Sequence, residues 1–182
     1  MERGWSPGEA GFGLQIGTLT MSFQRFELPN TGVVRVAPRS LGALPIARAR
    51  NGRLLLPVDD KEAFWIGLSS REEVYLVQLR ALLNDGTGTQ LGEEAQAVPP
   101  DTRIIGWSAA GTSYCALSRV ATGSALGVES IYFAARRVAS RDAGPIEDNV
   151  FLVDYAEYSA ATLRPPPERI DPSAGYGGQL LP

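Results

Sequence analysis

The sequence predicts an all-β fold, a β-sandwich of jelly-roll or immunoglobulin-like type, with irregular terminal extensions and room for one short helix. Three observations carry this. From Ser22 onward, short apolar runs alternate with Gly, Pro, Asn and Asp punctuation, the rhythm of strands and turns. Tyr75, Val77, Leu79, Ala81 and Leu83 share one apolar face at a period of two, while Gln78 and Arg80 fall on the other. A chain of 182 residues, 44% hydrophobic and 20% charged, has the composition of an ordinary globular domain, and one core at that size buries roughly 70% of the unfolded chain's surface.

Element by element, the pattern predicts strands over 20–28, 33–37, 53–58, 63–68, 103–107, 113–120 and 127–138. Turn chemistry separates them: "PNTG" at 29–32 and "TGSALG" at 122–127 are rich in residues that tolerate positive φ or fix a bend. The stretch "SSREEVYLVQLRALLNDG" also admits a helix, with Ser70 and Glu73 as a capping box and Gly86 as its stop. The strand reading is preferred, because its polar residues separate cleanly only at a period of two, and "NDGTG" then makes the following turn. Residues 147–163, "EDNVFLVDYAEYSAATL", stay undecided, with Asp148 or Asn149 as possible helix caps and a mixed aromatic face. Pro165, Pro166 and Pro167 stop any regular element.

The expected organisation is a Gly-rich N-terminal extension over 1–20, a β-sandwich over 21–163 and a Pro/Gly-rich C-terminal arm over 164–182, with Met21 a candidate true start. No repeat of fixed period divides the chain further. The N-terminus lacks the basic start, continuous apolar stretch and cleavage site of a secretory signal, and no apolar run is long enough to span a bilayer as a helix. With the single Cys115, this points to the cytoplasm or to an assembly formed there.

Elimination says most about function. The chain has no histidine, which removes Ser-His-Asp and Cys-His nucleophiles and every His-dependent metal site. Seventeen basic against twenty acidic residues, a net charge of −3 without long blocks of one sign, leave no footprint for nucleic acid. Lys61 is the only lysine. "GWSAAG" at 106–111 is one residue too long for a nucleophile elbow, and "GTGTQLG" at 86–92 has the wrong glycine spacing for a phosphate loop; both read as turns. Adjacent carboxylates at Asp59/Asp60, Glu72/Glu73 and Glu93/Glu94 point to opposite faces if on strands, and read as solvated loop charges. Cys115, alternating with Tyr114, reads as a small core residue.

"DDKEAFWIGLSS" at 59–70 combines a charged lead-in with two apolar faces: Phe64, Ile66 and Leu68 on one, Ala63, Trp65 and Gly67 on the other. An inner strand covered on both sides explains this, and a Trp65 face meeting a ligand is the rival. "FWIGL" also occurs in C-type lectin domains, which need paired cysteines that this chain lacks.

The candidate binding or interface residues are therefore Trp65, Trp107, Arg136, Arg137 and Tyr176, with no catalytic residue, cofactor or metal expected. Arg136 and Arg137 would guard a strand edge or form an interface pair. The expected function is a non-catalytic interaction or structural subunit that assembles with partner protein or itself through β surfaces and terminal arms. The rivals are a carbohydrate-binding module using Trp65 or Trp107, and a carboxylate-dependent enzyme.

Overall fold

In the computed structural model, which describes residues 6–7, 11–109, 111–140 and 144–170, the apolar alternation resolves into strands numbered here in chain order. The first sheet runs β1 (Ser6–Pro7), β2 (Leu14–Ile16), β3 (Leu19–Glu27), β7 (Glu62–Ser70), β11 (Thr102–Ile104), antiparallel throughout. The second runs β10 (Gln96–Val98), β8 (Tyr75–Leu83), β14 (Val128–Arg137), β15 (Ile146–Val153), β6 (Leu54–Pro57), β5 (Ala47–Arg48), with β9 (Gly88–Gln90) also pairing β8. It is mixed, because β15 and β6 are parallel. A small third sheet joins β12 (Gly106–Ser108), β13 (Tyr114–Ala116) and β4 (Val33–Val34). One helix, α1 (Tyr155–Thr162), follows β15 directly. The protein is thus mostly β, built of open antiparallel and mixed sheets.

The period-two reading explains the main core. Leu19, Met21 and Phe23 of β3 and Phe64, Ile66 and Leu68 of β7 join Val77, Leu79, Ile131 and Phe133 of the second sheet in one buried cluster. Phe23 and Phe64 meet edge-to-face with ring centroids 5.8 Å apart, the arrangement aromatic quadrupoles favour. On the opposite face of β7, Ala63 packs with Phe26, Val34 and Ala116, so the third sheet covers it. A third cluster seats Tyr158 of α1 on Ala47, Ala49, Leu55 and Val153. For 75–83 the strand reading holds residue by residue: Tyr75, Val77, Leu79, Ala81 and Leu83 are buried, and Gln78 and Arg80 are exposed.

Several expectations need correcting. Leu14 and Leu19 are fully buried and β2 extends the first sheet, so the predicted N-terminal extension supplies core as well as tail. The run 103–107 breaks into β11 and β12 at Ile105, and at Gly106, where the chain enters the third sheet, a Cβ would strike the Cys115 carbonyl. Asp148 and Asn149 lie inside β15 and cap nothing. The N-cap of α1 is Asp154, whose carboxylate accepts the Glu157 N–H at 2.8 Å. Asp59 and Asp60 are not simply solvated: Asp59 pairs with Arg169 at 3.2 Å and Asp60 pairs with Arg119.

One charge lies deep. Glu62, 1% exposed, ends the core-facing row of β7. The Tyr155 hydroxyl lies 2.8 Å from each of its oxygens, Arg25 Nη1 donates to Oε1 at 3.3 Å, and the Asp59 N–H donates to Oε2 at 3.2 Å. Burial, reinforced by Glu62, raises the Tyr155 phenol above its ordinary range. The folded state therefore holds that proton more tightly than the unfolded chain, whose tyrosines titrate near 10. The stabilisation is complete below about pH 10 and is lost as pH climbs toward the folded value. Tyr155→Phe should lower stability at neutral pH by about 1–3 kcal/mol, because a buried carboxylate loses a donor. Denaturant titrations from neutral pH to about pH 11 should show wild type and variant converging above roughly pH 10; a gap independent of pH would refute the assignment.

Candidate functional site

Trp65 presents the half-buried side of β7. Its indole N–H donates to the Pro38 carbonyl at 3.0 Å, and its ring packs beside the cluster of Phe26, Val34, Ala63 and Ala116. The ring leans over Gly67, where an added Cβ would stand 3.2 Å from Trp65 Cζ3 and 2.8 Å from Ser22 Oγ. Arg103 of neighbouring β11 places its guanidinium carbon 5.4 Å from the ring centroid, within cation–π range. Trp65 is thus tied by its N–H, seated on its neighbours and overlaid by a cation. A cleft of about 570 Å³ runs past it along Gly67, Ser69, Asp101, Thr102 and Arg103.

Trp107 lies elsewhere in the packing. It is opposite Cys115 in the β12–β13 pair and packs, half-buried, against the main core, so the structure does not join it to Trp65. Cys115 is buried and burial raises its thiol pKa, in keeping with a core residue. Arg136 and Arg137 end β14, where they pair with Leu76 and Tyr75 of β8, while the β14–β15 ladder stops at Ala135. As neighbours on a strand they separate: Arg136 lines a shallow cleft with Gln78 and Pro145, whereas Arg137 pairs with Glu73 at 3.1 Å. Tyr176 lies outside the described residues.

The Arg137–Glu73 pair belongs to a polar knot where the β2–β3 turn meets the second sheet. The Tyr75 hydroxyl donates to Glu73 Oε2 at 2.8 Å, and the Thr18 hydroxyl lies 3.4 Å from the same oxygen. Beside it is a cavity of about 250 Å³ lined by Ile16, Tyr75, Ala135 and Ile146.

Two features escaped the sequence reading. Glu62 is legible in retrospect, because extending the alternation of Leu68, Ile66 and Phe64 by one step puts it on the core face. Tyr114 is the second: 36% exposed, it rims a cleft of about 340 Å³ with Gln96, Thr102, Arg103 and Ser108. Nothing local marked it, since these surroundings come from three strands, β10, β11 and β12.

Among the described residues, no group of three or more Cys, Asp or Glu side chains could hold a metal ion, and no helix is long and apolar enough to cross a membrane. Asp85 accepts from both the N–H and the hydroxyl of Thr87, at 2.9 and 2.7 Å, which lowers its pKa and closes the β8–β9 turn.

If Trp65 is a buttress for the third sheet, Trp65→Ala should cost roughly 2–4 kcal/mol, close to the range for truncating a packed aromatic, and Trp65→Phe about 1 kcal/mol for the lost N–H bond. Chemical denaturation of both variants checks this; a near-neutral Trp65→Ala would restore the ring as a free platform. No protein-family model matches the chain, and neither a curated protein nor a solved structure is found that resembles it.

Proposed function

We propose that the protein is a non-catalytic structural subunit that assembles with other protein chains, copies of itself first among them, through the surface where its terminal segments meet. The two large sheets facing one shared core support a sandwich as the scaffold beneath that surface.

The observation that carries this reading is Leu163. It caps the C-terminus of α1 in the left-handed conformation, φ 58° and ψ 27°, and is the one non-glycine among the described residues with positive φ. It is also 70% exposed. A lone chain gains nothing from a leucine there: glycine or asparagine removes about 1 kcal/mol of strain, and the apolar side chain faces water. Strain kept at an exposed site points to use, and coverage by a second chain would offset both costs.

Phe12, 52% exposed, is the second apolar side chain at the surface near the segment ends: a Cβ added at its neighbour Gly11 would stand 3.5 Å from Arg164 Nη1. The C-terminal segment beyond α1 is strapped down by polar contacts: Arg25 Nη1 donates to the Glu168 carbonyl at 2.6 Å, and Arg169 pairs with Asp59. Asp59, Asp60, Glu62, Glu73 and Asp148 each serve an ion pair. Their role in holding segments together supports structure over catalysis.

The test uses light scattering on the full chain, on Phe12→Ser and on Leu163→Asn, which keeps the left-handed cap while removing the apolar side chain. A defined oligomer that dissociates at least about tenfold more readily in either variant is expected. Leu163→Gly should weaken assembly in the same way yet stabilise the dissociated chain by about 1 kcal/mol. A full chain that is monomeric at tens of micromolar concentration would overturn self-assembly. Removing residues 1–20 is not a clean test, because Leu14, Ile16 and Leu19 belong to the core.

A further inference from the structure

We propose that the groove along β11 binds an uncharged oligosaccharide. Neither Phe12 nor Leu163 lines it, and the inference is independent of the assembly reading. The clefts of about 340 and 570 Å³ share Thr102 and Arg103, so they adjoin along the outer strand of the first sheet. Each is within the size range of small-ligand sites.

The groove wall is preformed. Gln90 Nε2 donates to the carbonyls of Leu79, Leu91 and Glu93, at 2.9, 3.3 and 3.0 Å, which fixes the segment leaving β9. Gly92, at φ +69°, lets that segment close on Ile104: a Cβ there would sit 2.6 Å from Ile104 Cδ1. Arg103 is held over Trp65, between the two clefts. A site whose groups are already ordered loses less of its binding energy to ordering them.

The lining chemistry selects the ligand class. Gln96, Thr102, Ser108 and Ser69 offer amides and hydroxyls, and the charged groups are one guanidinium, Arg103, and two carboxylates, Glu93 and Asp101. A phosphate backbone would meet net negative charge. A lipid chain would meet polar walls. A peptide adding to β11 would find a three-residue strand and few backbone bonds to make. A neutral chain of hydroxyl groups matches amides, hydroxyls and charged fork-like donors and acceptors, while its C–H faces need an aromatic ring. Trp65 is overlaid by Arg103, so the ring that meets the sugar is Tyr114.

The full chain, titrated by calorimetry and by heteronuclear NMR with hexasaccharides of β-1,4-glucose, α-1,4-glucose, β-1,4-xylose, β-1,4-mannose and β-1,4-N-acetylglucosamine, tests the assignment. At least one should bind with a Kd below about 10 mM and perturb the amides of Thr102, Arg103 and Tyr114, with Tyr114→Ala and Arg103→Gln each weakening it about tenfold or more. Tyr114→Phe should retain binding, because the ring remains. The proposal fails if none of the five binds, if only polygalacturonate or heparin binds, or if both variants bind the sugar as wild type does.

Discussion

The buried carboxylate of Glu62 is the constraint around which the rest is arranged. A charge taken from water at the end of a core strand is tolerable only when every lone pair finds a donor and a cation stands by. Three separated pieces of chain supply them: Arg25 from β3, Tyr155 from the first turn of α1, and the Asp59 N–H from the turn before β7. Each makes its own bond to Glu62, so a one-residue shift of any of them would remove a donor from the buried carboxylate. The same Arg25 reaches onward to the carbonyls of Leu41 and Glu168, at 3.4 and 2.6 Å, so the loop before β5 and the C-terminal segment inherit the register that Glu62 sets. Net stability is a poor reason to keep such a pair, since apolar replacements often do as well. A role in fixing which segments meet accounts for it better.

Protection of the sheet edges follows the same logic of fixed pairing. The long strands β3, β7, β8 and β14 are all interior, and the strands at the sheet margins have two or three residues. Short edges offer little template for another chain. β8 shows how completely this is done: β10 covers its start, β9 its end, and the gap at Leu79 is filled by the Leu91 N–H at 3.0 Å and the Gln90 carboxamide. Strand addition is therefore a weak route to partners here. Side-chain surfaces, the strained cap at Leu163 and the groove beside β11, are the features left to act.

What was legible in the sequence depended on how locally each signal was written. A strand of nine residues with one buried face, such as β8, announces itself through alternation. Strands of two or three residues, such as β1, β2, β5 and β10, have too few positions to show a period and are defined only by the strand they pair with. Residues 147–163 resisted assignment because two elements of different period abut at Asp154, and a window across that joint averages them. The single predicted strand 103–107 splits at Ile105, its halves joining different sheets, Arg103 opposite Gly67 and Trp107 opposite Cys115, a non-local fact. The site suffered more than the fold: Trp65 stood out by residue type, yet its availability depends on Arg103, thirty-eight positions away in sequence.

That dependence decides how the two aromatic residues divide their roles. A tryptophan with a bound N–H, a glycine beneath it and a guanidinium above it has committed its donor and its exposed face to holding the third sheet against the first. Its contribution to a groove is indirect, through the position it imposes on Arg103. Tyr114, across the shared Thr102 and Arg103, has the opposite balance. It lies in a short strand paired on both sides, at Ser108 and Val34, so its backbone is fixed while its ring stays at the surface. Rigid backbone beneath an accessible ring is the arrangement in which stacking costs least entropy. The larger aromatic is therefore the support, and the smaller one faces the solvent and whatever comes from it.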